Sequence, residues 1–385
     1  MSTTFRGFRR SDGAVGVRNH VVVLSTVALT NRLAALIAEA HADALCVSGD
    51  FMRGLRGPDP DVQQRVLDGV VHHPNVGGAL ILAHDANAAE VIRERYQSVD
   101  KPLEVHAFMA ANGIGDAVDR GRGALRAIAR QLSAQRRQAA PLGGLTVALE
   151  CGGSDATSGL CANPTIGRFV DRLIDEGGTA IVSETAEFIG AEHVIRERAV
   201  SEVVAGRILE RMAAREAYMC ADGTDYRGVN PTAENIAAGL TTLVEKSMGA
   251  VAKTGTTPFC GCLDFAERPD GPGLYFMDTP FFSPMSITGM VAAGAQLTLF
   301  GIGVFNPSGN PLAPTLKVCG NPQTVDVWRD GVDLDVSGLV TGARDLSDTA
   351  EALGGMVLQV IEGAATKTER WGEGQFMAPK TVPPL

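Results

Sequence analysis

Short apolar, β-branched runs alternate along the chain with stretches in which apolar residues recur at helical spacing, the pattern of an α/β protein. The run His20–Val27 reads as a strand, and Leu29–Ala40, apolar on one face, reads as the helix after it. Ala44–Val47, Gly78–Ala83 and Leu103–Ala107 read as further buried strands. Helices over Val62–Val71 and Ala86–Tyr96 separate them, and a long helix over Asp116–Gln138 follows. Strands without a polar face that alternate with helices belong to a parallel sheet covered on both sides. Arg136–Gly144, charged and then broken by Pro141 and paired glycines, reads as a linker and sets a boundary near residue 140.

A second α/β pattern then begins. It runs through strand Leu145–Glu150, a glycine-rich loop, a helix from Thr165 to Glu176 and strand Thr179–Ser183. Helix follows over Ala191–Met219, then Leu240–Lys253, the apolar stretch Met290–Phe300 and a closing helix over Thr349–Ala364. The expected architecture is two α/β domains: 1–140 with a parallel doubly wound sheet, and 141–385, larger, glycine-rich and catalytic. The stretch Met290–Phe300 suits burial in a core better than an interface, so it says nothing about assembly.

Composition narrows the function classes. Thirty-four Lys and Arg against forty-four Asp and Glu leave a net charge of −10, with no basic footprint for nucleic acid or anionic lipid. The start of the chain lacks the apolar core of a signal peptide, and no apolar run approaches the ~20 residues that cross a bilayer, so a cytoplasmic location without membrane contact is expected. Seven scattered cysteines do not form a disulfide framework. No Gly-x-Gly-x-x-Gly opens the first strand–helix unit and no Walker-type loop occurs, which leaves nicotinamide and nucleoside triphosphate unsupported.

In open α/β sheets ligands collect at loops after the carboxyl ends of strands. Four loops there carry chemistry. Glu150–Asn163 sets Cys151, Ser154, Asp155, Ser158 and Asn163 among glycines at a strand-to-helix junction; its amides could cradle a carboxylate, and Cys151 or Asp155 could hold a metal. A tight turn with Ser or Asp as a helix cap explains the same residues. Ser183–His193 offers Glu184, Glu187, Glu192 and His193 as metal ligands or as a base, with Glu184, directly after the strand, the leading residue. An acidic helix N-terminus accounts for the same glutamates. The third set is Glu245, Lys246 and Lys253, and the fourth is Asp278 with Thr279 after an apolar strand. Gly16–His20 precedes its strand and reads on spacing as a surface loop, and Cys260-Gly-Cys262 lacks the spacing of a structural zinc site.

Several long blocks occur in one order along the chain: Gly7–Asn19, His73–Val76, Cys151–Gly159 with Ala162–Pro164, Ser183–Glu187 with Gly190–Glu192, Gly239–Gly249, Met277–Pro280 and Ala292–Gln296. In these the chain resembles the altronate and galactarate dehydratase family, sugar-acid hydro-lyases that also include a sulfolactate sulfo-lyase subunit. The resemblance implies β-elimination: a base takes the proton α to a carboxylate, the β-hydroxyl leaves, and the enol becomes a 2-keto-3-deoxy acid. It implies ferrous iron, with manganese as substitute, to stabilise the enediolate beside Lys or Arg. Carried over residue by residue, the site comprises Glu184, Asp155, Lys246 and Ser154 as catalytic groups. Arg18, Asn19, Ser158, Asn163, Lys253 and Asp278 would bind substrate, and Cys151, Glu187 and Glu192 would bind metal. Which of them is the base stays open.

Departures from the family pattern modify these expectations. The first shared motif begins at residue 7, so the small N-terminal domain of long members is expected to be missing, and a separate small subunit is one replacement for it. The first-domain loops read Val47-Ser-Gly-Asp50 and Leu82-Ala-His-Asp85 where the family carries cysteines, which makes His84, with Asp50 or Asp85, the substitute metal ligand. Thr232–Gly239 and Gly303–Pro307 also differ, the latter losing an arginine that would clamp a distal carboxylate. The substrate is therefore expected to be a hydroxy acid smaller or less charged than galactarate. The alternatives are a C–S lyase on a sulfolactate-like acid and a non-catalytic sugar-acid-binding subunit. A homodimer is expected on general grounds of size and location.

Overall fold

The computed structural model describes residues 3–221, 223 and 230–384. The chain divides into two compact units: an N-terminal unit of Arg6–Ala140 joined by the tail from Gln375, and a C-terminal unit of Pro141–Gly374 joined by the first residues up to Phe5. The tail, which the sequence assigns to the second domain, thus packs with the first. Asp59 holds it there, accepting the Thr381 amide at 3.0 and 2.9 Å and the Thr381 hydroxyl at 2.7 Å.

In the N-terminal unit, β1 (Thr4–Arg9), β2 (Val15–Gly16) and β7 (Gln138–Pro141) form a three-stranded sheet in the order β2-β1-β7. The long helix spans Ile114–Leu132, so Gln138, expected in that helix, is extended instead. The main sheet holds β3 (His20–Ser25), β4 (Ala44–Val47), β5 (Val76–Ala83) and β6 (Leu103–Ala107) in the order β4-β3-β5-β6, all pairs parallel. Val21, Val23, Leu80, Ile37, Leu125 and Ile128 meet in one core beneath two covering helices. Gly121 makes that packing possible, since a Cβ there would lie 2.3 Å from Ile37 Cδ1.

The C-terminal unit is built on seven strands: β8 (Thr146–Gly152), β9 (Thr179–Val182), β10 (Phe259–Leu263), β11 (Gly273–Met277), β12 (Leu297–Ile302), β13 (Thr315–Cys319) and β14 (Leu334–Asp335). Their order is β10-β11-β9-β8-β12-β13-β14, every pair parallel. Strands added after β8 run first to one side and then, from β12, to the other. The order reverses beside β8, where the carboxyl ends open a crevice. The expected helix over Ala191–Met219 is two, Glu192–Arg198 and Glu202–Tyr218, because the Ser201 hydroxyl caps the second by accepting the Val204 amide at 3.3 Å. Met290–Phe300 likewise divides into the end of a helix, Ser283–Ala292, buried at every position but Met285, and strand β12, with Gly294 turning between them at φ +109°. No described helix is long and apolar enough to cross a membrane.

Candidate active site

The crevice beside β8 holds an unusual density of buried charge. β8 ends with Glu150 and Cys151, and β9 lies parallel beside it, so the turn after β9 delivers Glu184 and Glu187 to the same sheet edge. Phe188 anchors that turn edge-on against Phe276, with ring centroids 5.1 Å apart. The helix Leu243–Val251, capped by the Thr242 hydroxyl, carries Lys246, and the short turn Ala252–Thr254 carries Lys253. Gly167 lets that turn approach: a Cβ there would lie 2.2 Å from the Ala252 carbonyl oxygen.

Glu187 is the hub. Its Oε1 accepts the Lys246 ammonium at 2.5 Å; its Oε2 accepts Lys253 at 2.9 Å and the Cys151 thiol at 3.1 Å. Lys253 also donates to Cys151 Sγ at 3.0 Å, which closes a ring of buried groups. Burial alone would raise the Glu187 pKa, but the two ammoniums outweigh it and hold the carboxyl at about 2. Both lysines sit above their usual range: burial opposes their charge, and Glu187 and Cys151 more than restore it. Burial and the Glu187 charge push the Cys151 thiol up to about 12, so it is a neutral donor rather than a thiolate.

The two neighbouring carboxyls behave oppositely. Burial drives Glu150 up to about 8, against the pull of Lys253 and of Ser286, whose hydroxyl donates to Glu150 Oε2 at 2.6 Å. Ser286 in turn contacts the Ser183 hydroxyl. The second oxygen of Glu150 is buried without a partner. Glu184, raised by burial and then by Glu150 and Glu187, stands in the left-handed region at φ 64°, ψ 73°, where a non-glycine residue is strained. Its amide donates to the Thr279 hydroxyl at 2.8 Å, and among the described residues its carboxyl accepts no hydrogen bond. Carboxyls driven apart in pKa within one cluster are the arrangement of an acid–base site.

A cavity of about 320 Å³ opens on this cluster and is lined by Ser154, Asp155, Ser158, Asn163, Glu245 and Lys246 with apolar neighbours. Lys246 is the element common to cavity and cluster. It is also the single cation among the described residues of that lining. Asn163 reaches the Gly249 carbonyl with its amide at 2.8 Å, while its oxygen is buried without a partner. Ser154 is fixed from behind, its carbonyl accepting Asn235 at 2.8 Å from the Thr232-capped helix that occupies one of the departing segments.

Other sequence candidates have local work. Asp155 is bonded at both oxygens: its Oδ1 accepts the Ser158 amide at 3.0 Å and the Thr157 hydroxyl at 2.7 Å, and its Oδ2 accepts Asn321 at 2.7 Å. Asp155 thereby shapes the loop as a cap. Glu245 folds back on Thr241, accepting its hydroxyl at 2.6 Å. Asp278 accepts the Thr185 hydroxyl at 2.6 Å and braces the turn that carries Glu184. In the N-terminal unit, Arg18 donates to the Val17 carbonyl at 3.0 Å and Asn19 accepts Arg10 at 2.9 Å, both bonds made within that unit.

The side chains named for a metal have local partners: in the C-terminal unit Glu192 accepts the Gly190 amide at 2.9 Å, and in the N-terminal unit His84 lies 3.2 Å from Arg53 and 3.4 Å from Asp85. Cys151 and Glu187 do meet, but every donor atom they offer is engaged by an ammonium or by each other. Among the described residues no three His, Cys, Asp or Glu side chains form a group that could hold a metal ion. Neither the donor set nor its charge fits a divalent cation.

Sequence reasoning passed over Glu150, Ser183 and Ser286 as functional groups. Glu150 was detectable, as a carboxylate inside a strand otherwise apolar on both faces. The two serines gave no signal apart from the fold.

Residues 142–383 match the family described as D-galactarate/altronate dehydratase, C-terminal, and residues 7–133 match D-galactarate dehydratase/altronate hydrolase, second domain. The chain is 32% identical over 378 residues to the (2R)-sulfolactate sulfo-lyase subunit beta of Chromohalobacter salexigens, covering 97% of this chain and 96% of that protein. It is 30% identical to the altronate dehydratase of Escherichia coli, covering 94% of this chain and 75% of that enzyme. It is also 30% identical to the altronate dehydratase of Bacillus subtilis, covering 86% and 68%.

Proposed function

The chain belongs to the D-galactarate/altronate dehydratase family of hydro-lyase enzymes, and from that premise we propose that it removes water from a 2,3-dihydroxy monocarboxylate in the cytoplasm, leaving a 2-keto-3-deoxy acid. The observation that carries the reading is the Lys246 ammonium, bonded to Glu187 behind it and standing in the wall of the cavity in front. A substrate carboxylate in that cavity pairs with Lys246, and substrate hydroxyls meet Ser154, Ser158 and Asn163, which line it. Glu184, strained, unpartnered and above its usual pKa, is the group that exchanges the α-proton.

The step balances without a co-reactant. The base takes the proton from Cα, the C–H electron pair becomes the Cα–Cβ double bond, and the β-hydroxyl leaves with its bonding pair and a proton as water. The enol then loses its hydroxyl proton and gains one at Cβ. Charge builds on the carboxylate oxygens during proton removal, where a fixed ammonium in a desolvated site stabilises it most. A single described cation in the cavity favours one carboxylate over two, consistent with the missing arginine at Gly303–Pro307.

A second reading has one observation in its favour, the near end-to-end match to the sulfo-lyase subunit. In it sulfite replaces hydroxide as the leaving group, and a separate small subunit completes the enzyme. One experiment separates the two. The purified chain is incubated with short 2,3-dihydroxy acids, altronate, galactarate and (2R)-sulfolactate, and both keto acid and sulfite are assayed. Keto acid from monocarboxylates without sulfite is expected; sulfite release from sulfolactate establishes the second reading, and silence across the panel removes both. Light scattering of the same sample tests the expected homodimer.

A further inference from the structure

The resemblance assigns enediolate stabilisation to a divalent metal, yet the place where two of its named ligands meet is already filled by positive charge. Glu187 spends one oxygen on Lys246 at 2.5 Å and the other on Lys253 at 2.9 Å and Cys151 at 3.1 Å; Lys253 then reaches Cys151 Sγ at 3.0 Å. A divalent ion bound to Cys151 and Glu187 would sit beside two ammoniums that share those same atoms, with almost no solvent to screen the repulsion. Lys253 is 1% exposed and cannot swing away into water. The turn that holds it packs within contact of Gly167. Lys246 is bounded on another side by the Phe281 ring, 4.7 Å from the ammonium, which leaves the cavity as its open direction.

We propose that this chain works without a divalent metal: the Lys246 ammonium, held by Glu187 and backed by Lys253, is the electrophile that receives the substrate carboxylate and the charge that grows on it. The inference rests on the lyase reading above. Because Lys253 shares the Glu187 carboxylate, that charge is not taken by Lys246 alone, and the Lys246 ammonium keeps its attraction for a substrate carboxylate. Lys246 is the catalytic residue because it faces substrate. Lys253 and Cys151 are positioning residues, acting through Glu187 by fixing the oxygen that Lys246 does not use. The chemistry asked of the metal is electrostatic, and a preorganised ammonium in a dry site supplies the same sign of charge at the same oxygens.

The test uses the whole chain, stripped with a chelator and dialysed. Elemental analysis and calorimetric titration with MnCl2 and with ferrous salt measure metal binding, while keto-acid release from the acid panel is followed with and without added metal. Substoichiometric metal, no saturable heat and turnover altered less than about twofold by stripping are expected, whereas Lys246→Met loses at least about 10²-fold in kcat while melting as a cooperative fold. Saturable one-to-one binding of Mn2+ or Fe2+ that Cys151→Ser or Glu187→Gln weakens overturns the inference. So does turnover that vanishes on stripping and returns with metal. If no acid is turned over in either state the lyase reading fails by itself, and the titration, which needs neither substrate nor variant, still decides whether these residues hold a metal.

Discussion

The two units carry parallel α/β sheets, and the same rule directs attention to the carboxyl ends of their strands, yet the two edges are used differently. At the N-terminal sheet the polar groups settle among themselves: Ser25 bonds Thr30 at 2.8 Å and Asn31 at 2.7 Å, and Asp85 caps the helix Ala86–Tyr96 by accepting the Ala88 amide at 2.9 Å. His84 leans on Arg53 and Asp85 at a partly exposed position. At the C-terminal sheet Glu150, Glu184, Glu187, Lys246 and Lys253 are all buried, and one oxygen of Glu150 finds no partner among the described residues. Polar groups at a strand end are ordinary when the backbone consumes them. Buried charges left incomplete are costly to the fold, and persist where a ligand completes them.

The largest effect that sharpens this contrast is on rate. Glu184→Gln should keep the fold and lose about 10²–10⁴ in kcat, the range of a positioned acid–base group. Near wild-type keto-acid release would remove Glu184 from the chemistry and with it much of the difference between the two edges.

A smaller effect appears in stability against pH. Burial holds Glu150 near 8 rather than 4.5, so the folded state keeps a proton there that the unfolded state has released; its contribution is complete below about pH 4.5 and is lost as the pH rises through about 8. Glu187 acts in the opposite sense: its two ammonium partners hold it at about 2, and its contribution is present above about pH 4.5 and lost as the pH falls through about 2. Between about pH 4.5 and 8 Glu150 should therefore tilt the stability curve downward by up to about 1.4 kcal/mol per pH unit, a slope that Glu150→Gln flattens. Denaturant titrations across that range, with an unchanged slope in the variant, would show that Glu150 is ionised in the fold.

The smallest effect tests the N-terminal edge. Asp85→Ala removes a helix cap and should cost about 1 kcal/mol of stability with turnover unaltered. A rate loss comparable to that of Glu184→Gln would mean that this edge also serves the reaction.

The periodicity of the chain was enough to predict two α/β patterns, because β-branched runs such as His20–Val27 and amphipathic segments such as Ala86–Tyr96 encode local structure directly. It misread places where a local signal was overridden: Gln138 follows a long helical pattern but is extended in β7, and the tail after Gln375 packs with the N-terminal unit through contacts to Asp59 that no spacing reveals. The site was legible as a list of residues, since Glu184, Glu187, Lys246 and Lys253 stand in loops after strands or in recognisable blocks. Their division of labour was not. Asp155 and Glu187 look alike in sequence, and only the fold gives one neutral backbone and side-chain donors and the other two ammoniums. Charge state, partner and exposure depend on what lies within a few ångströms, and those neighbours come from strands and turns that are far apart along the chain, as Glu150 and Ser286 are.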